Sequence, residues 1–180
     1  MVTTDDESLA EKIRVLRNQG SSQRNRYQHD VIGYCARLNT INAAIGRVQL
    51  RHLDAWNEKR RQVSETYFQT LLDCSQVQLP LTDSMDNQSS WHLFVVRSKE
   101  RDHLREHLQG DGIETGIHYP IPIHQQGPYQ TMPQVIGRPL PHTESWSKEV
   151  LSLPIYGEMS QDECARVTDS IISYYKGERA

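Results

Sequence analysis

HDVIGYCARLNTINAAIGRVQLRHL, residues 29–53, is the stretch from which the fold is read. It opens irregularly around Gly33 and Tyr34, passes Arg37 and then takes on a helical rhythm. Ile41, Ile45 and Val48 recur at three- and four-residue spacing. Ala43, Ala44 and Gly46 keep part of that helix slim, which suits close packing against a second body. The ordinary alternative is an amphipathic core helix. A loop that runs straight into such a helix can also place its polar groups in a site.

Downstream, residues 54–73 continue the pattern. Trp56, Val63, Tyr67 and Leu71 share one face, with Glu58, Lys59, Arg60 and Arg61 outside. A break near Leu53 and Asp54 would make two helices of one very long one. Upstream, Thr4 and Glu7 fit the S/T-x-x-E capping box, which predicts a helix carrying Leu9, Ile13 and Leu16 and stopping near Gly20. Val2 and Thr3 read as the tail of a strand that began earlier. Residues 21–28 form a polar loop containing Arg24 and Arg26.

Residues 74–87 read as loop around a short extended piece, 76–79, ended by Pro80. Residues 91–96, WHLFVV, make the best strand in the chain, aromatic and β-branched. Ser98 is placed to cap a helix over 99–109, where Leu104 and Leu108 form an i, i+4 pair. Gly110, Asp111 and Gly112 turn the chain, and 113–119 is predicted as a second strand. Strand, helix and strand in succession indicate an α+β or α/β layer. Pro120 and Pro122 then make a stiff connector, because each proline removes a ladder donor. Residues 125–141 are loop-rich around Gly127, Gly137 and Arg138, 143–150 are helical and 151–155 extended. A second capping box, Ser160 with Glu163, opens a helix running to about Tyr175, with Val167, Ile171 and Ile172 inward.

The totals exclude several classes. Lys+Arg 20 against Asp+Glu 23 gives a net charge of −3, and no basic run stands out, so no nucleic-acid partner is expected. No apolar run approaches the ~20 residues that span a bilayer, and the N-terminus lacks the pattern of a secretion signal. Neither membrane nor secretion is expected. Cys35, Cys74 and Cys164 are odd in number and widely spaced, which fits reduced thiols in the cytoplasm.

Two motifs hold candidate chemistry. His103, Glu106 and His107 spell H-x-x-E-H, a zinc-peptidase form. The intervening charges read equally as the solvated face of a short helix, and no metal is expected. His118, Tyr119, Pro120, Pro122 and His124 lie in one short run. Two prolines fix the backbone there, so Tyr119 and His124 are held at low entropic cost for hydrogen bonding to a polar ligand. The plain alternative is a turn with proline packing. Arg37 can bind an anion or pair with a neighbouring carboxylate. There is no Gly-rich phosphate loop and no nucleophile elbow.

In order along the chain, Gly33-Tyr34-x-x-Arg37-Leu38, Ala43-Ala44-x-Gly46-x-x-Gln49-Leu50, Arg60-Arg61 with Tyr67, the run from Gly116 to His124, and Leu151-Ser152-Leu153-Pro154-Ile155-Tyr156 resemble the DegT/DnrJ/StrS family. That family comprises pyridoxal-phosphate (PLP) dependent sugar aminotransferases, and the likeness covers essentially the whole chain. It implies an α/β fold class with an α+β small domain. The chain would be the C-terminal part of an aspartate-aminotransferase-like fold, with long linking helices and a small mixed or antiparallel sheet. By this resemblance residues 1–37 are a remnant of the large PLP domain, 38–73 are linking helices and 74–180 are the C-terminal small domain.

The resemblance also implies the chemistry of the complete enzyme. Glutamate would load an amino group onto PLP, and a nucleotide-linked keto-sugar would accept it. In the family dimer, the loop matching Tyr34, Cys35 and Arg37 reaches the partner subunit's cofactor phosphate. The family's asparagine there is replaced by Cys35, a poorer hydrogen-bond donor, so Tyr34 or backbone N–H groups are expected to substitute. Tyr119 and His124 would stand on the substrate side. None of Lys12, Lys59, Lys99, Lys148 and Lys176 occupies the family's Schiff-base context, so no catalytic residue is assigned. The isolated chain is expected to be inactive and to bind PLP weakly. Two alternatives remain: a non-catalytic partner or dimerisation module for a separate N-terminal half, and a PLP sugar dehydratase relative.

Overall fold

The computed structural model describes residues 2–21, 27–82, 84, 88–132 and 139–177. Arg24, Arg26, Asn87, Gly137 and Arg138 lie outside the described residues. The chain divides into two compact units, Met1–His52 and Leu53–Ala180.

The first unit begins with α1 (Glu7–Arg17), capped by Asp6, whose Oδ1 accepts from the Leu9 N–H at 3.0 Å. The capping box predicted at Thr4 and Glu7 is therefore not the helix start. Thr4 Oγ1 instead accepts from the Asp6 N–H at 3.1 Å. An ionised carboxylate is the stronger acceptor for the free N–H groups and the better match to the helix dipole. The second helix, α2 (Thr40–Leu50), is capped by Asn39, whose side chain accepts from the Asn42 N–H at 2.8 Å. None of its residues is buried. The helical rhythm does break: Arg51 and His52 form a turn, with N–H groups on the Val48 and Gln49 carbonyls at 3.2 and 3.0 Å.

The second unit starts with α3 (Leu53–Leu71), which buries Val63, Tyr67 and Leu71. It continues through β1 (Phe94–Arg97), α4 (Arg101–Gly110), a 3-10 turn (Ile123–Gln125), the short α5 (Gly127–Gln130), α6 (Pro141–Glu149), β2 (Val150–Leu153) and α7 (Gln161–Lys176). β1 and β2 pair antiparallel, Phe94 opposite Leu153 and Arg97 opposite Val150. Single bridged pairs extend the sheet at Gln78 with Arg97 and at Gly116 with Ser152.

Two local expectations fail here. The strand predicted over 113–119 shrinks to the one pair at Gly116, because the prolines at 120 and 122 cannot donate and the chain leaves the ladder before them. Ser98 does not cap the following helix, which begins at Arg101. Its hydroxyl accepts from the Glu100 N–H at 3.0 Å and lies 2.5 Å from Tyr175 Oη, so it organises the turn ahead of α4. At α7 the predicted capping box forms in both directions between Ser160 and Glu163, and Gly177 in the left-handed region ends the helix.

The core sits between the sheet and α3, α4 and α7, with α7 packed on both α3 and α4. Tyr67, Leu71, Phe94, Leu104, Leu108, Leu151 and Ile171 are fully buried. Phe94 is the hub: the rings of Tyr67, Phe68 and Trp91 lie 5.0, 5.2 and 5.3 Å from it. No helix among the described residues is long and apolar enough to cross a membrane.

Burial pushes the Cys164 thiol up from 9.0 to about 11, and pushes the Tyr67 phenol upward as well. In the unfolded chain these groups ionise first, so the stability from keeping them neutral is fully present below about pH 9. For Cys164 it is lost as pH rises from 9.0 through about 11. Denaturant midpoints measured from about pH 8 to about pH 11 are expected to fall, and to fall less in Cys164→Ala.

Candidate functional site

The loop bearing Tyr34, Cys35 and Arg37 is fastened along the end of α1. The Tyr34 N–H donates to the Leu16 carbonyl at 2.7 Å and the Ala36 N–H to Arg17 at 2.9 Å, while Gln19 N–H donates to the Tyr34 carbonyl at 2.8 Å. Cys35 forms an antiparallel bridge with Asn18, and Ser21 forms another with His29. Two glycines make this approach possible. A Cβ on Gly33 would lie 2.2 Å from the Gly20 nitrogen, and one on Gly20, at φ +73°, would lie 1.7 Å from the Val31 oxygen. Gly20→Ala is therefore expected to detach the loop, since the left-handed backbone alone costs about 1–2 kcal/mol for a residue with a Cβ. Hydrogen exchange checks this: the Tyr34 and Ala36 amides lose protection in the variant.

Tying the backbone down leaves the side chains outward. Tyr34 is 70% exposed, and Cys35 and Arg37 are exposed beside it. Because the Tyr34 and Ala36 N–H groups face α1, extended alternation turns the intervening Cys35 N–H the other way. The sequence left open which backbone donors of this loop are available. The structure engages two of them and points one out.

In the second unit, the stiff connector forms one wall of a pocket of about 390 Å³ that includes Tyr119, Pro122, Ile123, Trp146 and His118. Tyr119 is 73% exposed at the pocket. Trp146 is fixed from behind by the Arg97 guanidinium, 4.6 Å from its ring centroid; Arg97 in turn pairs with Glu149 at 2.6 Å. That arginine holds the Glu149 carboxyl below the usual carboxylate range. His118 bonds through Nδ1 to Ser152 Oγ at 2.8 Å. The structure thus brings Tyr119 together with His118 of the same motif and with Trp146, a residue that the sequence did not single out.

His124 is adjacent but differently engaged. Its Nε2 lies 3.0 Å from Glu144 Oε1, and the same oxygen accepts from the Leu140 N–H at 2.9 Å. The Leu140 N–H, and then His124, hold the Glu144 carboxyl below its ordinary range. The imidazole fastens the connector to the start of α6. Pro122 is buried and Pro120 exposed, so packing of the connector falls on the second proline.

The H-x-x-E-H residues do not converge. His103 and Glu106 are exposed, whereas His107 turns onto α7, with Nε2 3.2 Å from the Ser170 carbonyl. Among the described residues, no group of three or more His, Cys, Asp or Glu is placed to hold a metal ion. Lys12, Lys59, Lys99, Lys148 and Lys176 are all exposed, and none lines the pocket beside Tyr119. Arg37 is an exposed cation and Cys35 turns an N–H outward, two groups of the kind that bind an anion.

The sequence model of the DegT/DnrJ/EryC1/StrS aminotransferase family matches residues 1–172. Over 170 residues the chain is 41% identical to the dTDP-3-amino-3,4,6-trideoxy-alpha-D-glucose transaminase of Streptomyces venezuelae, covering 94% of this chain and 44% of that protein. It is 45% identical over 166 residues to the erythromycin biosynthesis sensory transduction protein EryC1 of Saccharopolyspora erythraea, covering 92% and 44%. The crystal structure of S. venezuelae DesV in complex with a ketimine intermediate superimposes with a TM-score of 0.88 at 39% identity, over 99% of this chain and 46% of that one. The chain spans about half the length of the curated relatives it matches. On the match across residues 1–172 and these identities, the chain belongs to the DegT/DnrJ/EryC1/StrS aminotransferase family.

Proposed function

We propose that this chain is the C-terminal part of a PLP-dependent aminotransferase that passes an amino group from glutamate to a nucleotide-linked keto-sugar. The observation that carries the reading is the 41% identity, over 94% of this chain, to a transaminase named for a dTDP-linked amino sugar. PLP, when bound, supplies the electron sink that lets an amino group change carbon. The chain's own contribution is to bind and to orient.

In the proposed dimer, the arm extends to the partner subunit's cofactor. Arg37 meets the phosphate by charge, Tyr34 adds a phenolic hydrogen bond, and at position 35 the outward backbone N–H serves in place of the thiol. Fastening the arm to α1 supports this, since its geometry is set before any ligand arrives. On the substrate side, Tyr119 presents its hydroxyl at the pocket. His124, with Nε2 engaged by Glu144, has Nδ1 left for a ligand. The three free cysteines fit a reducing, cytoplasmic setting.

Complementation tests this. The chain is co-produced with an N-terminal segment of a family member that carries the Schiff-base lysine. The complex is expected to aminate a dTDP-linked keto-sugar with glutamate as donor. Arg37→Ala in this chain is expected to weaken PLP binding about 10–100-fold, the worth of a charge-assisted hydrogen bond. A complex that assembles and binds PLP but transfers no nitrogen would overturn the reading.

A further inference from the structure

We infer that Ser152 is a positioning residue that holds His118 in one tautomer, Nε2–H, and so aims a hydrogen-bond donor from the pocket wall at an acceptor oxygen of the bound substrate. Four observations converge. Ser152 lies inside β2 and is only 4% exposed. Its backbone is fixed to Gly116 by two bonds at one edge, its N–H donating to the Gly116 carbonyl at 2.7 Å and its carbonyl accepting from the Gly116 N–H at 3.1 Å. Its hydroxyl lies 2.8 Å from His118 Nδ1, its one hydrogen-bond partner among the described residues. The imidazole rests directly on Gly116, where a Cβ would come within 2.6 Å of His118 Cε1.

The tautomer follows from the hydroxyl. A buried O–H left without an acceptor costs about 1–3 kcal/mol, and the acceptor within reach is Nδ1. With Ser152 donating, Nδ1 of the neutral ring has no hydrogen, so the hydrogen resides on Nε2. The tie through Nδ1 and the seat on Gly116 fix the ring's orientation. The Tyr119 ring, edge-to-face with it at 5.3 Å between centroids, adds a third restraint. Nε2 has no protein partner among the described residues, and His118 lines the pocket. A fixed N–H selects for an acceptor such as a sugar hydroxyl, carbonyl or phosphoryl oxygen. That the pocket receives the sugar substrate rests on the function proposed above; the tautomer does not.

The test therefore begins with the chain alone. Two-bond proton–nitrogen spectra of the 15N-histidine-labelled 180-residue protein report the tautomer directly. They are recorded about two units above the ordinary imidazole pKa, with His118 assigned by His118→Gln. Wild type is expected to hold the Nε2–H form in roughly tenfold excess or more, falling to within a few-fold in Ser152→Ala and restored in Ser152→Thr. A wild-type ring mainly in the Nδ1–H form overturns the inference, whether or not the variants fold. So does a Ser152→Ala ring whose tautomer ratio is unchanged. In the complemented enzyme, Ser152→Ala is expected to raise the sugar KM about tenfold with KM for glutamate unchanged; equal rises in both overturn the substrate-facing role while leaving the transaminase reading intact.

Discussion

Mixed with PLP and L-glutamate, the 180-residue chain is expected to form pyridoxamine phosphate no faster than the free cofactor does in buffer. A Schiff-base lysine is effective because walls or a neighbouring cation keep part of it unprotonated and aim it at the cofactor carbon. The five lysines here stand on α1, α3, the approach to α4, α6 and α7, each exposed. They are dispersed over the surface rather than gathered at the one pocket that Tyr119 lines. On that placement the chain is expected to supply no lysine base for the proton shift between donor and acceptor carbons. Enzymes exceed uncatalysed rates by roughly a million-fold or more, so the contrast with a complemented complex is large. Loss of the PLP absorbance band, with pyridoxamine phosphate separated by chromatography, measures it. Turnover at an enzyme-like rate by the chain alone would refute the assignment of no catalytic residue.

Phe94→Ala carries the largest expected loss of stability. Phe94 is fully buried at the meeting point of three other aromatic rings, and it lies on β1, the strand that holds β2 and the Gln78 bridge together. Removing the ring forfeits its transfer free energy and leaves a cavity that a sheet braced by α3 and α7 cannot close. The cost is about 3–5 kcal/mol, a large share of the roughly 5–15 kcal/mol that keeps a typical domain folded. Urea unfolding followed by tryptophan fluorescence reads it, Trp91 being in the cluster. A loss below about 1 kcal/mol would mean that the cluster does not form the core of this unit.

Much of this architecture is legible in the residues. The last helix was readable from end to end because its capping box is local and its apolar spacing regular; Ser160 and Glu163 need nothing beyond the helix they start. The antiparallel option for the small sheet came from the resemblance, and β1 pairs with β2 in that sense. Where sequence reasoning failed, a distant partner decided. Ser98 has the composition of a cap but bonds Tyr175, 77 positions away. The run 113–119 has strand composition, yet its pairing is limited to the one residue that meets Ser152 before the prolines. The site follows the same rule. Tyr119 and His124 stand out because prolines flank them. Ser152 is a plain serine in an apolar strand, and only the folded chain sets it against His118. Glu144 as the partner of His124, and Arg97 as the support of Trp146, are likewise invisible to spacing.

The second helix has a thermodynamic consequence of its own. Ile41, Ile45, Val48 and Leu50 of α2 all stand more than half exposed. Fully burying an exposed side chain of this kind is worth roughly 1.5–3 kcal/mol, and covering these partly exposed ones gains a share of that. Water at that face is the least favourable solvent contact the helix makes. Whatever sheath covers that face gains part of that free energy.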